Sequence, residues 1–132
     1  MEPSINELTE RIIGCCYKVH KILGPGFLEK LYENALMIEL EKSGLRAKQQ
    51  APMSVTYDGK RIGEYFADIL VEGKVVCELK AGVSIAKEHE IQLVSYLVAT
   101  GPDVGLVINF GRSVTVRRKF REYRLPSKNE NG

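Results

Sequence analysis

Asp68, Glu78 and Lys80 are the residues of this chain whose types and spacing invite chemistry. They lie in the stretch "FADILVEGKVVCELK", residues 66–80, where two strongly apolar runs, Ile69-Leu70-Val71 and Val75-Val76-Cys77, flank Glu72-Gly73-Lys74. Such runs mark strands buried on both faces. Charges are rarely buried there unless they are paired or bound to a metal. Two carboxylates within a few ångströms repel, so one stays protonated unless a cation sits between them. Magnesium or manganese answers that repulsion, taking carboxylate, carbonyl and water oxygens in octahedral geometry. A lysine beside such an ion orients or helps deprotonate a water, or stabilises negative charge growing on a phosphoryl group. The combination suits phosphodiester hydrolysis. The ordinary alternative is a salt-bridged surface strand, and spacing alone does not separate the two.

Glu78 and Lys80 are two apart and project from one face of their strand. Whether Asp68 shares that face depends on the parity of the connecting loop. A two-residue loop of Glu72-Gly73 pairs Asp68 with Cys77 and sends Glu78 to the opposite side. A three-residue loop, with Gly73 in a left-handed conformation or Lys74 included, puts Asp68 and Glu78 together. The odd loop is the expectation, because it gathers both acids and the amine into one site.

The elements that must position this hairpin are legible on both sides of it. Ser4-Ile5-Asn6-Glu7 forms a capping box behind Pro3. Ile5, Leu8, Ile12, Cys15 or Cys16, Val19 and Ile22 recur at helical spacing, so a first helix runs to about Leu23. Gly24-Pro25-Gly26 stops it. A second helix starts near Phe27, with Leu28, Leu31, Tyr32, Ala35, Leu36 and Leu40 as its apolar stripe, and ends at Ser43-Gly44. Strands follow over about Ala47 to Tyr57, Arg61 to Val71 and Lys74 to Lys80, the first two joined by the turn Asp58-Gly59. A third helix over about Ala86 to Thr100 carries Ile91, Val94, Leu97 and Val98 towards the core. "VGLVINF" reads as a buried strand and Val114 to Phe120 as an edge strand. The order is α-α-β-β-β-α-β-β, an α/β (α+β) chain with a mixed sheet flanked by helices. Residues 1–125 are expected to form a single domain and 126–132, "PSKNENG" after Leu125, a disordered tail.

Composition bounds the function classes more than it selects among them. The 132 residues are 44% hydrophobic and 27% charged with a net charge of +2, so the total neither demands nor excludes nucleic acid. "VRRKFREYR" concentrates Arg117, Arg118, Lys119, Arg121 and Arg124 around Phe120 and Tyr123, which suits a phosphate backbone. A solvated edge strand with a polar tail is the plainer reading of the same residues. Cys15, Cys16 and Cys77 lack metal-ligand spacing and fit buried, reduced thiols. No signal-peptide pattern opens the chain and no apolar run approaches the ~20 residues of a membrane span. The cytoplasm is therefore the expected compartment. A Ser-His-Asp arrangement, a zinc site and a Walker-type loop are all missing from the pattern.

Asp68, nine intervening residues, and Glu78-Leu79-Lys80 resemble the signature of the PD-(D/E)XK nuclease superfamily, with Ala67 where proline commonly precedes the aspartate. "GFLEKLY", Gly26 to Tyr32, is similar to the Gly-x-x-Glu-x-x-Tyr label of the GxxExxY family within that superfamily. The similarity continues through "ENAL", "YFADILVEG", "CELKA", "QLVSYL" and "GLVINFG", roughly Glu7 to Phe120. The resemblance implies a restriction-endonuclease-like core and a Mg2+- or Mn2+-dependent nuclease. It implies Asp68, Glu78 and the main-chain carbonyl of Leu79 as metal ligands, Lys80 as the residue positioning the attacking water, and Glu29 as a further acid near the metal, directly or through water. Gln92 and Tyr96 match a Gln-x-x-x-Tyr pattern in the exonuclease-like branch. At i and i+4 on one helix face they would hold a phosphate or brace the lysine.

His20 and His89 are more readily capping or packing residues than ligands. The implied substrate is nucleic acid, DNA ahead of RNA, with no membrane role and with a homodimer or protein partner supplying substrate choice. Two other readings stay open. One is a non-catalytic nucleic-acid-binding or partner-dependent interaction module on the same fold, and the other is hydrolysis of a different phosphate ester.

Overall fold

A computed structural model of the chain describes residues 3–122. Tyr123, Arg124 and the tail expected from Pro126 lie outside the described residues. Helix α1 spans Ile5–Leu23 and α2 spans Glu29–Lys42; strands β1 (Ala47–Tyr57), β2 (Lys60–Val71) and β3 (Val75–Lys80) follow, then α3 (Lys87–Thr100), β4 (Val104–Phe110) and β5 (Val114–Phe120). The five strands lie in sequence order in one sheet, antiparallel except where β3 runs parallel to β4. The fold is α+β, with the element order that the sequence implies.

Two apolar cores sandwich the sheet. Leu8, Ile12, Cys16 and Val19 of α1 and Tyr32, Leu36 and Leu40 of α2 pack on Ile69, Cys77, Leu79, Leu106 and Ile108. Leu93 and Leu97 of α3 pack on Ala51, Ala67, Val76 and Val107 on the other side. β4 is buried along its whole length, as expected of a central strand covered on both faces. A Cβ on Gly105 of β4 would sit 2.9 Å from Leu93 Cδ2, so this glycine sets how closely α3 approaches the sheet.

The α1 capping box forms as expected, with the Ser4 hydroxyl accepting from Glu7 N–H and the Glu7 carboxylate accepting from Ser4 N–H. The second helix begins at Glu29, two residues later than the pattern suggests. The buried Tyr32 explains the delay: its hydroxyl donates to the Gly24 carbonyl at 2.6 Å and accepts from Phe27 N–H at 3.2 Å, holding Gly24–Phe27 as a loop. Three stripe assignments are corrected. Ile22, in the last turn of α1, is exposed, because the buried face of that helix ends at Val19. Leu28 and Leu31 are exposed: Leu28 precedes the helix as its N-cap, and the buried face of α2 runs through Tyr32, Leu36 and Leu40 instead. In α3, Ile91 is exposed and Leu93 is buried; Leu93, Val94 and Leu97 form the inward face, one step round from the stripe expected.

The basic C-terminal strand is largely engaged within the protein. Arg118 donates to Asn6 and Thr9, Lys119 pairs with Glu90 and Arg121 with Asp103. This favours the plain reading of an edge strand over a dedicated phosphate-binding patch.

Candidate active site

The loop between β2 and β3 decides which acids meet. Val71 lies opposite Val75, Leu70 opposite Val76 and Ile69 opposite Cys77, the odd register expected. Glu72 and Gly73 both take positive φ, 54° and 67°, and Lys74 N–H donates to the Val71 carbonyl at 2.9 Å. The turn is thus a tight two-residue one, and Lys74 is the extra residue that shifts parity. The three-residue connection with Lys74 included is the one expected, and the two-residue loop that would pair Asp68 with Cys77 is excluded.

Extending that register brings Asp68 opposite Glu78, and there the ladder stops. The Asp68 carboxylate Oδ2 instead accepts from Leu79 N–H at 2.8 Å. Glu78 accepts a hydrogen bond from the main-chain N–H of Asp68. Each acid therefore caps backbone that the other strand leaves open. Side-chain alternation also breaks at this point. Ile69 belongs to the core under α1 and α2, whereas Ala67 belongs to the core under α3. The same inversion occurs in β1 around Gln50, whose φ is +50°. A non-glycine residue in that region is uncommon and marks a locally constrained backbone. The long β1–β2 hairpin thus changes face at Gln50 and Asp68, and the gap it opens lies at the end of β3.

Glu78 and Lys80 lie on the α3 side of β3, alternating with Leu79, which is buried towards α1 and α2. The Tyr65 hydroxyl donates to Glu78 Oε2, and the Tyr65 ring stacks on Tyr96 of α3 with centroids 4.0 Å apart and planes 11° apart. From the other side, Gln50 Nε2 donates to Asp68 Oδ1 at 3.3 Å and to Glu33 Oε2 at 3.2 Å. Glu33 is only 3% exposed and also receives Lys30 at 2.9 Å and Gln49 at 2.6 Å.

Crowding of acids in a half-dry site raises their proton affinities. Burial is the first cause for Glu78, which is pushed up to about 7 despite the Asp68 N–H and the Lys80 charge, with Glu29 and Glu33 pushing the same way as burial. Asp68 is raised by burial and by Glu33, against the pull of Leu79 N–H, Gln50 and Lys80. Glu29, exposed in the first turn of α2, is raised by partial burial first, against Lys80 and with Asp68 and Glu33. The Lys80 ammonium is felt by all three acids, so the four groups share one neighbourhood. Cys77 beneath them is pushed up to about 12 by complete burial and by Asp68, an inert thiol. All three cysteines are buried and free.

The remaining candidates divide. Gln92 is exposed on α3 with no hydrogen-bond partner among the described residues, one turn from Tyr96. Tyr96 reaches Glu78 through Tyr65, and no hydrogen bond joins it to Lys80. His20 donates from Nε2 to the Gly111 carbonyl at 2.8 Å, and His89 Nδ1 accepts from Ala86 N–H at 3.4 Å at the start of α3. His20 thus braces the β4–β5 turn and His89 the start of α3, where its charge also reaches Glu29. Glu33, Gln50 and Tyr65 are members of the site that sequence reasoning missed. Glu29 and Glu33 at i and i+4 were the available signal for Glu33. Tyr32, by contrast, turns into the core, stacked on Phe110 with centroids 4.6 Å apart. Among the described residues no three His, Cys, Asp or Glu side chains gather tightly enough to hold a metal ion by themselves.

An α+β sheet with two acids and a lysine at the frayed end of its β2–β3 hairpin is consistent with a nuclease-like fold. A family model described as the PD-(D/E)XK nuclease superfamily matches residues 6–122, and the chain belongs to that superfamily. No curated protein and no solved structure matches it. Among the described residues no helix is long and apolar enough to cross a membrane.

Proposed function

We propose that this chain is a divalent-metal-dependent nuclease that hydrolyses phosphodiester bonds of DNA, or of RNA. The observation that carries this reading is the opened β2–β3 ladder, with Asp68 and Glu78 at the gap beside Lys80. In a strand, the N–H and C=O of one residue point the same way. Since Leu79 N–H meets Asp68, the Leu79 carbonyl also faces the gap and is left without a sheet partner there. Two carboxylates and a carbonyl are hard oxygen donors that fit Mg2+ or Mn2+, and magnesium usually keeps several waters rather than a full protein cage. Because no group of three such ligands gathers among the described residues, Glu29 is assigned a contact through water.

Bound there, the ion would supply charge neutralisation and a water of lowered pKa. The chain's own residues do the rest. The Lys80 ammonium, on the Glu78 side of β3, orients the attacking water and faces the negative charge on the phosphoryl oxygens. Tyr65 fixes the Glu78 carboxylate, and the Tyr96 ring clamps Tyr65, so Tyr96 acts on the acid rather than on the lysine. Gln50, held by Glu33, does the same for Asp68. The Gln92 amide is available to a phosphate oxygen.

The GxxExxY resemblance, a single domain over residues 1–125, DNA ahead of RNA, the cytoplasm, and a homodimer or protein partner that supplies substrate choice belong to the same proposal. One observation favours the second reading, a non-catalytic binding module. Both Asp68 oxygens and Glu78 already have protein donors. Purified protein incubated with single- and double-stranded DNA and RNA, in manganese, magnesium or chelator, separates the two. Metal-dependent cleavage lost in Lys80→Ala and Asp68→Asn is the expected result. Equal products from wild type and both variants would remove the nuclease reading.

A further inference from the structure

A cleft opens directly beyond Lys80, at the C-terminal ends of the parallel pair β3 and β4. Its walls are three loops: Pro25–Phe27 before α2, Ala81–Val83 after β3, and the β4–β5 turn carrying Arg112 and Ser113. The C-terminal ends of parallel strands are where open α/β sheets characteristically take ligands.

Each wall is fastened from behind by a buried or half-buried polar group. Tyr32 holds the first through Gly24 and Phe27. Asn109, 1% exposed, holds the second with two bonds to Gly82, accepting from its N–H at 2.9 Å and donating to its carbonyl at 3.0 Å. His20 holds the third through the Gly111 carbonyl. A Cβ on Gly111 would meet the Gly82 carbonyl at 2.9 Å, so two of the walls touch through backbone alone. The cleft is therefore a preformed, stiff feature rather than a gap between mobile loops.

Its lining says what it would take. Among the described residues no acidic side chain lines it, and Arg112 is the cation in its lining. Phe27 meets Tyr32 in a T-shaped contact with 42% of its surface exposed, and Val83, also in the lining, is wholly exposed. Ser113 and Thr115 add hydroxyls. A part-exposed aromatic ring, an unopposed arginine and hydroxyl donors together are the chemistry that holds one unstacked nucleotide, the base on the ring and the phosphate on the cation. A continuous duplex offers no free base face to such a ring.

We propose that this cleft is a nucleotide subsite, binding an unpaired nucleotide of the strand next to the phosphate at Lys80, so that the protein takes single-stranded or frayed nucleic acid rather than intact duplex. The proposal rests on the nuclease reading for the location of the scissile phosphate, but its test does not need cleavage.

Fluorescence anisotropy in EDTA with a labelled single strand of about ten nucleotides, within the usual site size of such grooves, and with a blunt duplex of the same sequence gives the measurement. Wild type should bind the single strand more tightly. Phe27→Ala should weaken it roughly tenfold, and Phe27→Tyr should keep wild-type affinity. Arg112→Ala should weaken binding and lower the slope of log affinity against log salt by about 0.7. A melting curve for each variant reports folding, and Val83→Ser, at a wholly exposed position, gives a second probe that should weaken binding with no loss of stability. Equal affinity for duplex and single strand, or folded Phe27→Ala, Val83→Ser and Arg112→Ala variants that bind like wild type, would overturn the subsite. The two readings fail separately. Cleavage with indifferent cleft variants sinks the subsite alone, whereas the binding pattern without metal-dependent cleavage sinks the nuclease alone.

Discussion

Replacing Glu78 by glutamine should stabilise the metal-free protein at alkaline pH and leave it almost unchanged at acid pH. The folded-state affinity of Glu78 for a proton is raised from an ordinary 4.5 to about 7, chiefly by burial. Below pH 4.5 the group is protonated in both folded and unfolded chains and adds no cost. Between 4.5 and 7 the unfolded chain ionises first, folding takes up a proton, and stability falls as pH rises. Above pH 7 the folded protein carries a buried carboxylate at full cost. A change from 4.5 to about 7 corresponds to about 3 kcal/mol at 1.36 kcal/mol per unit, or about 10 °C in melting temperature for a chain of this size. Glutamine keeps the shape, can still accept from the Tyr65 hydroxyl, and carries no charge. Urea denaturation in EDTA at pH 5 and pH 8 measures the difference. Asp68 and Glu29 shift in the same direction, so the informative quantity is the gap between variant and wild type rather than the wild-type slope. A gap that is the same at both pH values, or that favours wild type at pH 8, would refute the account of an under-compensated acid cluster.

Other consequences follow from the same geometry. Tyr65→Phe should weaken Mn2+ binding by about tenfold in calorimetry while leaving the fold intact, because it frees the Glu78 carboxylate to rotate; Tyr96→Leu should give a smaller loss of the same kind. Lys80→Ala should abolish cleavage with Mn2+ affinity retained or raised, since a competing positive charge is removed. Asn109→Ala unties Gly82 and should lower stability by about 2 kcal/mol in urea titration, two buried hydrogen bonds being lost. Gly105→Val should destabilise by about 1–3 kcal/mol, because its side chain meets Leu93 and pushes α3 away from the sheet.

Local chemistry made much of this molecule legible. The Ser4–Glu7 box and the Asp58-Gly59 turn depend on residues close in sequence, and each was readable there; the odd register of the second hairpin was chosen only because it brings both acids and the amine together. The helix faces were harder. α3 has apolar residues at Ile91, Leu93, Val94, Leu97 and Val98, which fit two stripes one step apart, and only the contact of Leu93 with Gly105 selects between them. The candidate site was half visible. Asp68, Glu78 and Lys80 lie within one hairpin, and Glu29 came from a motif. Glu33, Gln50 and Tyr65 reach the acids from α2, β1 and the far stretch of β2, over a change of face at Gln50 that no alternation pattern announces. Positive φ at a glutamine has no sequence signal.

The central claim is that Asp68, Glu78 and the Leu79 carbonyl share a hard cation beside Lys80. Anomalous diffraction from a crystal soaked in Mn2+ tests it most directly. The account predicts a peak about 2.1 Å from an oxygen of each, with water completing the shell and Glu29 joined through one of those waters. An ordered site with no peak, or a peak held by other residues while Asp68 stays bound to Leu79 N–H and Gln50, would contradict it.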